Sequence, residues 1–489
     1  MKSEMIEIRV SRTLFLLFAI SVSLSVSCLD FIIMRHPTRA AFLLLATLAV
    51  ASPLDQLVLS PGLSEKTALE VRPSTGSSHN VHSSIVSALN EHPDDPVAAL
   101  IAFDPAYAAE LAKPRLLEVK GDGPARWMTE GDKLRLRREG NKFIDFTDRQ
   151  DAVDRYQAEA FVGHAHLPNI THQNWVLPSF KDISTEKMHD NLKHLTSYYS
   201  RYYHSFTGEQ SARWIHDHVA EIISASPFRT YISLEYHTHS IAQPSIIARF
   251  DPPVKNASLP YTILGAHQDS ANYLFPLLPA PGADDDCSGT VAILEAFRVL
   301  ATRGFVPENG PVEFHWYAGE EAGNLGSLPV AGYKKDIGAK VGAMLEFDMV
   351  AWIAKNATES ITLVKTEADM PLTNWVAKLS KEYIDLPIKI RELGRGGSDY
   401  MSFSNFGFPA AFATEGDMEN GEFPGEFDPY VHGVNDRMDL DDENGVFSLD
   451  HMARFAELAI AFAVEQGGWS LKHTREEDKN GLWNAPVVA

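Results

Sequence analysis

Several short polar clusters in this sequence stand where apolar runs stop, and their side chains are of the kinds that bind cations or move protons. His267 and Asp269 follow the run at 261–266, within GAHQDS. Asp284, Asp285 and Asp286 form a triple within PGADDDCSGT. Glu320 and Glu321 follow the run at 312–318, and Asp348 follows the run at 343–347. Each cluster alone has an ordinary structural explanation. A lone histidine after a strand is more often structural than a ligand, an acidic run at a helix start is favoured by the helix dipole, and a glutamate pair is commonly surface charge. Their recurrence at three successive strand ends is what points to chemistry.

Carboxylates crowded together repel, and burying an uncompensated charge costs on the order of several kcal/mol. Such a group calls for a cation. One histidine with several aspartates and glutamates, and no cysteine ligand, suits zinc or a related divalent ion with open coordination positions. Two metals roughly 3.5–4 Å apart would absorb this much charge and hold a water between them. A second histidine is then needed. His432, in DPYVHGVNDRMD, is the best candidate, with Asp436 four residues on.

For these residues to meet, the elements carrying them must end at one edge. The runs at 261–266, 312–318, 343–347 and 410–414 read as strands, and a strong helical pattern covers 288–302. Val291, Leu294, Ala296, Phe297 and Leu300 recur at helical spacing, Asp286 and Ser288 offer N-caps, and Gly304 follows the end. A last helix is expected over 450–465, with Met452, Phe455, Ala459 and Phe462 facing the core. Strands alternating with amphipathic helices predict an α/β fold with a largely parallel sheet. In such a sheet the strand ends share one edge, where α/β proteins place their sites.

With 489 residues, the chain is too long for one ordinary domain. Its formal charge of −22 argues against a nucleic-acid partner, which needs a basic footprint. Cys28 and Cys287 are the only cysteines, so a disulfide framework is excluded. Arg35 and Arg39 precede a short apolar run and an A-x-A end at Ala49 and Ala51, the layout of a secretory signal cleaved after Ala51. Met34 reads as the true start. Neither this run nor the one at 13–28 has the ~20 residues of a membrane helix, so no stable membrane anchor is expected, a signal anchor made from the run at 13–28 being the alternative. Sequons at Asn169, Asn256 and Asn356 fit a secreted glycoprotein. Residues 52–90, rich in Ser, Pro and His, read as poorly ordered, and a strand is expected at 143–146. The polar stretch HLPNITHQN, at 166–174, reads as a linker.

GAHQDS, APGADDDCSGT, VEFHWYAGEEAGNLGS, LEFDM, SDYMSFSNFGFPAA and VHGVNDRMD together resemble the co-catalytic zinc aminopeptidases of the M28 family, in particular secreted fungal leucine aminopeptidases. The resemblance covers about residues 180–466. Upstream, RWMTEGDKLRLRREGNKFIDFTD is similar to the pro-region of those enzymes.

The resemblance implies a three-layer sandwich with a mixed, mostly parallel central sheet flanked by helices, preceded by a small pro-region. The expected organisation is a signal region at 1–51, a partly disordered pro-region at 52–175, a peptidase domain at 176–470 and a tail at 471–489. By the same resemblance His267 and Asp348 bind one zinc, Glu321 and His432 a second, and Asp285 bridges both through a loop whose 285–286 peptide bond is cis. Glu320 is the general base, Asp269 orients His267, and Asp436 does the same for His432. The implied enzyme is a secreted monomer with two Zn2+ per chain, active on peptides with a free N-terminus. Dipeptidase, carboxypeptidase or glutaminyl cyclase activity, and a non-catalytic binding ectodomain, are the alternatives.

The chain departs from the family in one place. Where relatives carry a C-G-Y-A-C turn at the pocket wall, this sequence has Gly394, Arg395, Gly396 and Gly397. Met349, Phe403, Phe406, Phe408 and Phe412 still offer apolar surface, although residues at strand spacing are more often core than pocket, and Arg395 could admit acidic or polar side chains or face solvent. Cys287 is expected to be a small buried residue.

Overall fold

Parallel strands are stable only where both faces are covered. Four strands buried at nearly every position lie side by side at the heart of this protein. The computed structural model describes residues 78–153, 165–417 and 424–470. These belong to one compact unit, Leu57–Ala489; the other unit, Met1–Gln56, lies outside the described residues. The expectations for the targeting segment at 1–51, for 52–77 and for the tail at 471–489 therefore fall outside what is described.

In the N-terminal part, α1 (Ser78–Glu91), α2 (Pro96–Phe103) and α3 (Tyr107–Leu111) precede β1 (Pro114–Val119) and β2 (Arg126–Thr129). Then come α4 (Glu130–Arg138) and β3 (Phe143–Asp145), and β1 pairs antiparallel with both other strands. Helix α1 corrects the expectation of poor order through residue 90. Ile85, Ala88 and Leu89 fall on one helical face and are buried, with Ile85 and Leu89 packing in a cluster with Leu100, Leu111 and Phe275. A capping box, Thr129 with Asp132, starts α4.

The second part opens with α5 (Gln173–Phe180), α6 (Thr185–Leu195) and α7 (Phe206–Ala225). Helix α5 crosses the boundary expected at 175–176. The stretch read as a linker is pinned to the body, because Glu465 accepts the backbone N–H groups of Thr171 and His172. The strands that follow are β4 (Ile232–His237), β5 (Ser245–Phe250), β6 (Tyr261–His267), β7 (Val312–Tyr317) and β8 (Val341–Phe347). A ribbon of β9 (Trp352–Ala354) with β13 (Gly445–Phe447) stands apart. The main sheet is completed by β10 (Ile361–Val364), β11 (Ile388–Arg391) and β12 (Ala410–Thr414).

The eight strands run in the order β11-β10-β12-β8-β6-β7-β5-β4. Strands β12, β8, β6 and β7 are mutually parallel, and the antiparallel β4–β5, β5–β7 and β10–β12 pairings make the sheet mixed. Alternate residues serve opposite faces. Leu264 and Ala266 of β6 join one cluster and Ile263 the other; Leu345 and Met344 divide likewise on β8. On the first face pack α6, α7, α8 (Cys287–Thr302), α10 (Met370–Tyr383) and α12 (Leu449–Gly467). On the second pack α9 (Ser327–Asp336), α11 (Tyr400–Asn405) and residues Ile144 and Phe146 from the N-terminal part. The expected three-layer arrangement is the one observed. Among the described residues no helix is long and apolar enough to cross a membrane.

Strand β6 is flanked by β7 on one side and β8 on the other, both parallel to it. The chain therefore changes direction of winding at the C-terminal end of β6, which opens a crevice there. Helix α8 starts in this crevice. Asp286 caps it by accepting from Gly289 N at 2.7 Å, and Gly304, at φ 71°, follows its last residues. Gly289 lets the helix start touch β8: a Cβ there would stand 2.2 Å from the Phe347 carbonyl oxygen. Gly289→Ala should therefore cost about 1–3 kcal/mol by overpacking. It should lower the melting temperature, and an unchanged melting curve would contradict this packing.

Candidate functional site

The crevice gathers the residues that the sequence places at strand ends. His267 is the last residue of β6; Glu320 and Glu321 lie in a 3-10 turn beyond β7; Asp348 follows β8. Asp285 lies between two histidines. Its Oδ1 stands 3.1 Å from His267 Nε2, and its Oδ2 stands 2.8 Å from His432 Nε2. Asp348 Oδ1 is 3.6 Å from His267 Nε2, and Glu321 Oε2 is 3.7 Å from His432 Nε2. The ligand atoms form two groups that share Asp285: His267, Asp285 and Asp348, then Asp285, Glu321 and His432, each within 4.8 Å.

Separations of 3.6 and 3.7 Å are too long for hydrogen bonds. They suit two atoms bound to one ion, since tetrahedral zinc with bonds of about 2.0–2.2 Å puts its ligands about 3.4 Å apart. Asp348 Oδ1 is buried and has no hydrogen-bond partner. A donor set of imidazole nitrogens and carboxylate oxygens, with one carboxylate facing both groups, fits a pair of divalent cations.

Other carboxylates hold this set in place through backbone amides. Asp286 accepts from His267 N at 3.1 Å and Met349 N at 3.3 Å as well as from Gly289 N, tying β6, the end of β8 and α8 together. Asp269 accepts from Glu320 N at 3.0 Å and Glu321 N at 3.2 Å, while its contact to His267 Nδ1 is longer, 3.5 Å. It thus fixes the glutamate turn first and His267 second. Asp436 corrects the expectation drawn from its spacing to His432. Its two oxygens accept from Asp284 N and Asp285 N at 2.7 and 3.1 Å, so it holds the acidic loop rather than the imidazole. The Asp285–Asp286 bond is cis, as the resemblance implied, and His432 and Met349 adopt positive φ of 59° and 53°. Positive φ in non-glycine residues clusters at functional sites.

The charges interact strongly. Burial and neighbouring Asp285 push the Glu321 carboxyl up to about 7. Burial opposes charging of His432, yet Glu321 and Asp285 raise it to about 9. Asp285 is held well below the usual range: burial would raise it, and the two histidines more than offset that. Burial raises Glu320, against the pull of Lys142. Cys287 is fully buried beneath the loop, and burial pushes its thiol up to about 12, as a small core residue should be.

The site opens into a cavity of about 590 Å³. Met349, Leu393, Phe412 and Phe427 give it an apolar wall, and Arg395 stands at its glycine-rich rim. Of the apolar residues considered for the wall, Phe403, Phe406 and Phe408 take the commoner core role and pack on the second face. The opposite side comes from the N-terminal part: Arg137, Asn141, Lys142 and Phe143. Lys142 forms a close ion pair with Glu320. Beside it, Asp145 N donates to Gly323 O at 3.0 Å, and the turn at Gly121 packs on the Arg395 guanidinium. Lys142, Tyr273 and Phe427 were not singled out by sequence reasoning. For Lys142 the one available signal was its place inside the pro-region-like stretch.

A crevice of this kind, lined by shared carboxylate and imidazole groups at the parallel strand ends of an α/β sheet, defines a metallohydrolase-type site. Residues 245–457 match the model of peptidase family M28. Leucine aminopeptidase 1 of Coccidioides posadasii is 35% identical over 354 residues, covering 71% of this chain and 87% of the relative. Leucine aminopeptidase 1 of Aspergillus niger is 37% identical over 352 residues, covering 70% and 85%. Among solved structures, the Legionella pneumophila LapA aminopeptidase superposes with a TM-score of 0.62 at 26% identity, covering 74% of this chain and 96% of that one. The chain belongs to peptidase family M28, and it is a peptide hydrolase.

Asp269→Ala should release the Glu320–Glu321 turn without opening the core. Partners of this kind are worth about 10–100-fold in metal affinity. Zinc binding measured by chelator competition should weaken by that factor while the circular dichroism spectrum is unchanged. Equal affinity would contradict the assigned role.

Proposed function

We propose that this chain is a secreted two-zinc aminopeptidase, made with an N-terminal region that fills its own cleft. The observation that carries the reading is Asp285, whose two oxygens face two separate imidazole–carboxylate groups. His267 and Asp348 would hold one zinc, Glu321 and His432 the other, with Asp285 common to both. The relatives named leucine aminopeptidase support removal of N-terminal residues. The wall of Met349, Leu393, Phe412 and Phe427 supports an apolar first residue. The apolar run ending at Ala51 supports secretion.

When bound, the metal pair supplies Lewis acidity, lowering the pKa of water toward about 7. The chain's own residues do the rest. Glu320, at the cavity floor, receives a proton from the attacking water and returns it to the departing amine. Asp269 fixes the base and its neighbour Glu321 by their backbone amides. The acidic floor receives the positively charged N-terminus of the peptide, and the apolar wall receives its first side chain. Replacing Glu320 by Gln should lower kcat on leucyl amides by about 10²–10⁴ with two zinc ions still bound. Parent-like turnover in E320Q, or cleavage of N-acetylated substrates by the parent, would refute the mechanism.

Lys142 gives the N-terminal region its effect on activity. Its ammonium pairs with Glu320 and so occupies the base and the floor of the cleft together. Lys142→Met in the intact chain should raise turnover above that of the intact parent. After proteolytic removal of the N-terminal region the two should be equal. An intact parent as active as its processed form would exclude the inhibitory role.

A further inference from the structure

The two ligand groups are held unequally. His267 and Asp348 sit at or next to the ends of central strands β6 and β8. Glu321 lies in a single 3-10 turn, and His432 lies outside any helix or strand, at a φ of 59°. Asp269 holds the backbone of the glutamate turn, but the side chains of the second pair need a further partner, and one side chain touches both members. The Tyr273 ring lies flat on the His432 imidazole, with centroids 3.7 Å apart and planes 5° from parallel. Its hydroxyl donates to Glu321 Oε2 at 2.6 Å, and its backbone N–H donates to the His432 carbonyl at 3.0 Å.

We propose that Tyr273 is a positioning residue that sets the geometry and affinity of the second cation site, the one formed by Glu321 and His432. The inference rests on the two-zinc reading. The stack fixes the plane of the imidazole, and the backbone bond fixes the turn that carries it. The hydroxyl occupies one side of the Glu321 oxygen, which limits the rotations open to that carboxylate. A ligand whose orientation is fixed before binding loses less freedom on binding, and partners of this kind change metal affinity by about 10–100-fold. Among the described residues no hydrogen bond or ring contact joins Tyr273 to His267 or Asp348, so the first site should not respond.

The test uses the full-length chain as parent, Tyr273→Phe, which keeps the stack and loses the hydroxyl, and Tyr273→Leu, which loses both. Zinc titration against a chromophoric chelator should give two constants for the parent. Y273F should weaken one of them about 10-fold and leave the other unchanged, and Y273L should weaken the same one further. The visible spectrum of the protein carrying cobalt in place of zinc should change only in the absorption that appears with the second equivalent. Y273F alone decides the matter if Y273L fails to fold. A parent that binds fewer than two zinc ions overturns the two-zinc reading and this proposal with it. A parent that binds two, with Y273F matching it in both constants, overturns the role of Tyr273 alone. Lowered kcat in Y273F at unchanged metal affinity and cobalt spectrum would also overturn it, by making the hydroxyl a group that acts on the substrate.

Discussion

Concentrated negative charge at the end of a buried sheet is the constraint on which this structure turns. Asp285, Glu320, Glu321 and Asp348 are buried within one crevice, with Asp269, Asp284, Asp286 and Asp436 around them. No fold tolerates so many carboxylates without partners. The outer ones accept from backbone N–H groups: Asp286 from the amides of β6, α8 and Met349, Asp269 from the glutamate turn, Asp436 from the acidic loop, and Asp284, through one oxygen, from Ala351. Their charge is thereby spent on holding the loops that carry the inner ones. The inner set keeps oxygens and imidazole nitrogens directed at one another at distances that suit shared cations.

The N-terminal part answers the same constraint with a different cation. Its α4–β3 segment places Lys142 against Glu320, and α4 itself is anchored by buried polar contacts. Glu130 accepts from the Tyr203 hydroxyl at 3.0 Å and lies beside Arg115 and Lys133, and Lys133 also meets Asp145 at 2.9 Å. Breaking one partner of a buried pair leaves a charge stranded, which typically costs about 3–5 kcal/mol. The segment is therefore docked as a unit, and leaving the cleft requires its polar contacts to be given up together.

Most of the candidate site's geometry was legible in the sequence because it depends on local rules. The four apolar runs became the four parallel central strands, and His267, Glu321 and Asp348 came together because parallel strand ends share an edge. Helix α8 matched its pattern to within one residue. Contacts between distant, irregular segments were not legible. Asp436 looked like a partner of His432 by spacing and instead bonds residues about 150 positions away. Lys142 reaches Glu320 across the chain, and Tyr273 reaches His432 across most of the catalytic-domain strands and helices that separate them in sequence. Phe403, Phe406 and Phe408 are apolar whether they line a cavity or fill a core, and nothing in their spacing separates the two outcomes. The helix at 78–91 was hidden by its Ser and His content, although Ile85, Ala88 and Leu89 carried the period.

The central claim is that two cations neutralise the inner carboxylates by sharing Asp285. Anomalous X-ray diffraction at the zinc absorption edge, on crystals of the zinc-loaded chain, tests it most directly. The account predicts two peaks about 3.5–4 Å apart, one on each side of the Asp285 carboxylate, within bonding distance of His267 and His432 respectively. A single peak, or zinc bound away from Asp285, would contradict it.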